Sequence, residues 1–204
     1  MKSAPHRIAI LILAAGASSR MGKPKQLLPW RDTTLLGQAI RTAKASKASE
    51  ILSVLGANAE KIRSAVTEPF AFTENTAWEL GMGSSIAHGT ASLMGSDKDI
   101  EGILIMLADQ PLIEESYLNL LIDHSIRHKD KIIATTYKHR AGVPALFPKP
   151  YFEALLKLNK DFGAKQLLQK EGSHIIRVSA GQNIIDIDTS EDYEQLKHKN
   201  ETEH

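Results

Sequence analysis

The run Ile8-Ala9-Ile10-Leu11-Ile12-Leu13 is apolar at every position. A strand with one solvated face would alternate apolar and polar residues. This run does not, so it suits a strand buried on both faces, as in a parallel sheet covered by helices. The chain passes straight from it into Ala14-Ala15-Gly16-Ala17-Ser18-Ser19-Arg20-Met21-Gly22-Lys23-Pro24-Lys25. Small side chains let a backbone approach a ligand closely, and Arg20, Lys23 and Lys25 add positive charge where the N–H groups point. The combination points to a polyphosphate ligand.

Charge placement supports a small anion rather than a long one. The net charge is only +1, so the chain is not built to coat nucleic acid or an anionic membrane. Yet Met1 to Arg31 contains no Asp or Glu, and the first acid is Asp32. The absence of Cys excludes disulfides, zinc–thiolate sites and thiol nucleophiles, and is compatible with a cytoplasmic location. Lys2 and Arg7 before Ile8–Ala15, with Ala15-Gly16-Ala17 after them, superficially resemble a signal peptide, but Arg20, Lys23 and Lys25 would follow the cleavage site at once. Cleavage there would remove the strand that the loop needs. No run approaches the roughly 20 apolar residues of a membrane span.

Strand-like and helix-like segments alternate through the 204 residues, read as one domain over 1–204. Strands are expected at Ile8–Leu13, Ile51–Leu55, Phe70–Thr73, Gly102–Leu107, Ile132–Tyr137, Val143–Phe147 and Ile175–Val178. Helices are expected from a cap at Asp32 or Thr33 to Ser46, and at Ala59–Val66, Gly83–Met94, Glu114–Lys129, Tyr151–Leu158, Gly163–Lys170 and Ser190–His198. Alternation of this kind predicts an α/β fold with a mainly parallel sheet and helices on both faces. Ligands in such folds sit at the C-terminal ends of strands. The Leu13–Lys25 loop and Asp109 both fall at such ends and can share a cleft.

The loop fits neither common phosphate fingerprint. A Walker A loop places four residues between its glycines and follows them with Lys and Ser or Thr. Here five residues separate Gly16 from Gly22, and Lys23 precedes Pro24. The dinucleotide fingerprint needs three glycines, where this loop has two. Asp109 ends an apolar run beside Pro111 and can hold Mg²⁺ against phosphate oxygens, or cap a helix. Asp186 and Asp188 read as part of a short strand, and one of them is expected to reach the cleft. Ser84 and Ser85, after Gly81 and Gly83, can read a base edge or simply cap a helix. His124 and His128, flanking Arg127, read as a solvated helix face.

Residues Leu13–Gly22 followed by Pro24-Lys25-Gln26-Leu27-Leu28 resemble the signature loop of MobA-like nucleotidyltransferases, closest to the molybdenum cofactor cytidylyltransferase (MocA-like) branch. Further matches are Asn75–Ile86, Leu107-Ala108-Asp109-Gln110-Pro111, Gly142–Phe147, Asp161-Phe162-Gly163-Ala164-Lys165 and Asp186-Ile187-Asp188-Thr189. The resemblance implies a three-layer, Rossmann-like nucleotidyltransferase fold. It implies transfer of CMP from CTP to the phosphate of a molybdopterin-type acceptor, with release of pyrophosphate and with Mg²⁺ as cofactor. Arg20, Lys25 and Asp109 would be catalytic. Leu13, Ala14, Ala15, Gly16, Arg20, Lys25, Asn75, Gly81, Ser84 and Ser85 would bind the nucleotide. Asp109 and Asp188 would hold the metal, and Arg140, after His139, would face the acceptor. A molybdenum hydroxylase or its chaperone is the protein partner this implies. Leu107-Ala108-Asp109-Gln110-Pro111 departs from the Gly-Asp-Met-Pro form common in guanylyl and some cytidylyl enzymes. That leaves guanylyl transfer, another phosphorylated acceptor, or a non-catalytic nucleotide-binding accessory role as alternatives.

Overall fold

The six residues Ile8–Leu13 form strand β1, fully withdrawn from water, and a computed structural model shows what covers them. It describes residues 6–96, 98–137, 140–159, 163–181 and 184–202. After β1 come the two-residue strands β2 (Pro29–Trp30) and β3 (Thr33–Thr34), helix α1 (Leu35–Ala45), β4 (Glu50–Leu55) and α2 (Ala59–Ala65). Then follow β5 (Phe72–Glu74), α3 (Met82–Met94), β6 (Gly102–Leu107), α4 (Glu115–Arg127), β7 (Ile132–Tyr137) and β8 (Arg140–Pro148). The chain closes with α5 (Phe152–Leu156), α6 (Lys165–Lys170), β9 (Ile175–Val178) and α7 (Ser190–Thr202).

The described residues build a seven-stranded sheet in the order β5-β4-β1-β6-β8-β7-β9, parallel throughout except for β8. β1 lies at its centre, paired with β4 on one side and β6 on the other, so both edges of the apolar run are hydrogen-bonded. Its side chains divide between two cores, as the pleat requires. Ile8, Ile10 and Ile12 pack with Leu36 and Ile40 of α1, Ile62 of α2 and Leu118 and Leu121 of α4. Ala9, Leu11 and Leu13 pack with Ile86 and Leu93 of α3, Phe152 and Leu155 of α5 and Leu167 of α6. The result is a three-layer α/β sandwich. No described helix is long and apolar enough to cross a membrane.

Two expectations are corrected. Thr34, not Asp32 or Thr33, caps α1, its Oγ1 accepting the Gly37 N–H at 3.0 Å. The reason is the β2–β3 hairpin, whose turn holds Arg31 at φ 53° and Asp32, so the chain reverses before it can start a helix. β8 begins at Arg140 rather than Val143, because it pairs with β7 from Tyr137↔Arg140 onward before it reaches β6. Other boundaries move by a few residues, as at β5, or at α6, which starts at Lys165 rather than Gly163.

Behind the hairpin, Glu68 is buried and accepts from the Thr33 hydroxyl at 2.6 Å and from Arg41 Nε at 2.8 Å. Burial alone would raise its pKa, but the hydrogen bonds and the Arg41 charge outweigh it and hold the carboxyl below the usual glutamate value. A depressed folded-state pKa adds stability above the unfolded-state value and loses it as pH falls through the folded one. Glu68→Ala is therefore expected to cost about 1–3 kcal/mol near neutral pH. The gap to wild type should shrink below pH 4, as read by urea melts across that range. An unchanged gap at low pH would mean that packing, not charge, sets the cost.

Candidate active site

The loop leaving β1 is tied down between its neighbours. The Ala14 N–H donates to the Val54 carbonyl (2.9 Å), the Ala57 N–H to Ala15 (3.0 Å) and the Ala108 N–H to Leu13 (3.2 Å). Buried Gln26, only 3% exposed, holds the inside of the bend, its Nε2 donating to the Ala14 and Gly16 carbonyls at 2.8 and 2.9 Å. Ser18, at φ 56°, accepts the Lys25 N–H on its Oγ at 3.0 Å. These bonds hold the chain open around a cavity of about 380 Å³, within the range of small-molecule sites. It sits at the C-terminal ends of β1 and β6.

The cavity brings together Leu13, Ala14, Ala15, Gly16, Lys25, Gly81, Ser85 and Asp109 from the residues expected at the site. Asn75 stands behind it, its Nδ2 donating to Ser84 Oγ (2.9 Å) and Ser85 Oγ (3.1 Å). Arg20 is not brought in. It lies exposed in a single 3₁₀ turn, Ser19–Met21, outside the cavity lining, and among the described residues its side chain makes no hydrogen bond or ion pair. Arg140 is also elsewhere, on a second cavity of about 340 Å³ that it shares with Lys165 and Arg177. His139, Asp161 and Phe162 lie outside the described residues. The rings of His124 and His128 lie parallel with centroids 6.4 Å apart, and no cluster of three metal-ligating side chains occurs among the described residues.

The electrostatic centre is Lys25. Its ammonium contacts Asp109 Oδ2 and donates to the Ile187 carbonyl (3.2 Å) and Asp188 Oδ1 (3.4 Å). Burial works against the charged amine, but the two carboxylates outweigh it and hold Lys25 protonated above the ordinary lysine range. Asp109 is 8% exposed and caps no helix, since α4 begins at Glu115. Burial pushes its carboxyl above the usual aspartate value, against the pull of Lys25. Its Oδ1 is buried with no hydrogen-bond partner. An orphaned carboxylate oxygen on the cavity wall, with a second carboxylate on the same ammonium, fits a hard divalent cation that takes one or two carboxylates and completes its shell with water and phosphate.

The expected strand carrying Asp186 and Asp188 is not formed. Residues 184–189 run without regular structure, and Ile187 turns inward, fully buried, against Trp30 and Leu35. With Ile187 inward, both aspartates stay outside that core and bond to the site's surroundings. Asp188 meets Lys25, and Asp186 accepts from Gln110 at 2.7 Å. Gln26, Gln110 and the cavity-lining Trp78, Glu79 and Met82 were not anticipated as site residues, although all lie within the matching strings quoted above. Their position directly beside the expected residues was the available signal.

α3 starts at Met82 after Gly81 and approaches the chain at Asn159 so closely that a Cβ on Gly83 would lie 2.7 Å from the Asn159 carbonyl oxygen. Only glycine allows that approach. Gly83→Ala is expected to push the first turn of α3, and Ser85 with it, off the cavity wall. Positioning losses of this size cost on the order of 10²-fold in kcat/KM. A steady-state comparison that found wild-type kcat/KM would show that the wall tolerates the shift.

The geometry defines a class: a three-layer α/β sandwich with a small-molecule cavity at the C-terminal ends of its central strands. The family model for the MobA-like NTP transferase domain matches residues 10–175, and the chain belongs to that family. It is 27% identical to purine catabolism protein PucB of Bacillus subtilis (strain 168) over 206 aligned positions, covering 95% of this chain and 97% of PucB. It is 38% identical to nicotine blue oxidoreductase of Paenarthrobacter nicotinovorans over 117 residues, 56% of this chain and 55% of that protein, so the match spans about half of that relative. Among solved structures it resembles Rv0371c of Mycobacterium tuberculosis H37Rv at 29% identity and TM-score 0.81, covering 96% of this chain and 100% of that one. A complex of the same protein with manganese matches with TM-score 0.77 at 28% identity, covering 94% and 98%.

Proposed function

We propose that this nucleotidyltransferase moves CMP from CTP to the phosphate of a molybdopterin-type acceptor and releases pyrophosphate. The observation that carries the reading is Lys25, held as a cation between Asp109 and Asp188 at the edge of the Leu13–Ala17 cavity. In the reaction the acceptor phosphate attacks the α-phosphorus and the bond to the β-phosphate oxygen breaks. Lys25 faces the charge that grows on the leaving pyrophosphate, a preorganised cation that needs no rearrangement as the bond breaks. The backbone of Ala14–Ala17 approaches the phosphates, and Ser85, backed by Asn75, lies against the base. Arg20, exposed on the loop, swings onto the triphosphate when the nucleotide is bound. An acceptor phosphate is already mostly ionised near neutral pH, with a second pKa of about 6, so no strong general base is required.

Asp109 and Asp188 would hold Mg²⁺, which when bound neutralises phosphate charge and orients the triphosphate. The manganese complex of the Rv0371c structure supports a divalent cation in this fold. Arg140, with Lys165 and Arg177, offers an exposed cationic surface for an anionic acceptor. The CTP assignment follows the MocA-like character of the Asn75–Ile86 segment. Calorimetric titration with CTP and GTP in the presence of Mg²⁺ tests it. Tighter binding of CTP is expected, and a preference for GTP would move the reading to guanylyl transfer.

A further inference from the structure

Gln110 is 2% exposed, directly follows Asp109, and lines no part of the nucleotide cavity. Its Nε2 donates to Asp186 Oδ1 at 2.7 Å and to the Tyr137 hydroxyl at 2.7 Å, with the Val143 carbonyl at 3.4 Å. The Tyr137 hydroxyl in turn donates a hydrogen bond to the Val143 carbonyl. The amide is thus oriented by a carboxylate and a tyrosine, and its Oε1 is left buried with no partner.

Those contacts hold a segment without regular structure in place. Residues 184–189 belong to neither the sheet nor a helix. They are fixed by Gln110 on Asp186, by the Ile187 N–H donating to the Asp109 carbonyl (3.1 Å), by Lys25 on the Ile187 carbonyl, and at their far end by Asp192 Oδ2, which accepts the Asp188 and Thr189 N–H groups at 3.3 and 2.8 Å. Asp188 leaves this segment and reaches Lys25. We infer that Gln110 is a positioning residue for Asp188: through Asp186 it sets the 186–188 segment so that the Asp188 carboxylate meets Lys25 beside Asp109. The inference rests on the proposed role of Asp188. It also gives the departure from Gly-Asp-Met-Pro a physical content, because a methionine at 110 has no N–H to offer Asp186.

Two readouts test this on the full-length chain. Amide hydrogen exchange reads the segment without any reaction. Gln110→Leu and Asp186→Ala should each raise exchange at Ile187 at least tenfold, while Asp186→Asn, which keeps an acceptor oxygen, stays near wild type. Turnover reads the coupling. Gln110→Leu should lower kcat about 10- to 100-fold, the range for residues that orient a metal ligand, with CTP affinity unchanged. Added to Asp188→Ala it should lower kcat no further. Unchanged exchange at Ile187 in both variants, or additive losses in the double variant, overturns the inference. Asp186 is exposed, so Asp186→Ala carries the test should Gln110→Leu not fold. If the wild type transfers no nucleotide, the function reading falls, and the exchange result still decides the positioning role.

Discussion

Lys25→Ala is expected to lower turnover about a thousandfold, the upper range for deleting one preorganised charge-stabilising donor. The variant loses the only cation that lines the cavity among the described residues. It also leaves Asp109 buried without its ion-pair partner. A buried carboxylate stripped of its partner takes up a proton rather than remain charged. Burial already pushes the Asp109 carboxyl up, and removing Lys25 takes away the charge that opposes it. The chain should therefore still fold, with a lower melting temperature. Lys25→Arg should not restore activity, since a planar guanidinium cannot occupy the compact niche that Asp109, Asp188 and the Ile187 carbonyl form around one ammonium. Pyrophosphate release under saturating nucleotide checks both variants. Turnover within tenfold of wild type in Lys25→Ala would remove Lys25 from the chemistry.

Asp109→Asn should cost turnover by a similar factor and differ in every other respect. The side chain keeps its shape and can still accept from Lys25, while the charge that burial penalises is gone. Stability is expected to stay close to wild type, in contrast to Lys25→Ala. The divalent-cation requirement should shift instead, because the orphaned Oδ1 becomes part of a neutral amide and only Asp188 remains anionic beside Lys25. The checks are a magnesium titration of activity and a thermal melt on the same preparation. An unchanged magnesium midpoint would place the cation elsewhere. A large fall in melting temperature would mark Asp109 as mainly structural.

The parts of the fold that were legible in the sequence are those whose residues decide locally. β1, β6, β7 and β9 match the segments from which they were read, residue for residue; for β1 and β6 the reason is that a strand buried on both faces needs nothing but apolar side chains, while β7 and β9 each open on a pair of isoleucines. The β2–β3 hairpin was not legible. Its strands are two residues long, too short for periodicity, and its left-handed turn residue is Arg31 rather than Gly or Asn. The start of α1 was misplaced for the same reason.

The site divides in the same way. The cavity lining at 13–17, 25, 81, 85 and 109 could be read from motif strings, because each segment carries its own small or charged residues. The conformation of 184–189 could not. Asp-Ile-Asp alternates like a strand in sequence, yet besides a local cap from Asp192 the segment is held by Gln110, Lys25 and the Asp109 carbonyl, and each of these three lies more than 70 positions away in the chain. Gln110 was hidden likewise, since Tyr137, Val143 and Asp186 meet only in the folded chain.

The central claim is nucleotidyl transfer at the Lys25–Asp109 cavity, and acceptor-dependent pyrophosphate release measures it most directly. Wild-type protein, CTP and Mg²⁺ should release pyrophosphate only when molybdopterin is added, in amounts equal to the CMP attached, and Lys25→Ala and Asp109→Asn should abolish it. Binding of CTP with no release of pyrophosphate, with molybdopterin present, would contradict the claim and leave a nucleotide-binding protein without this chemistry.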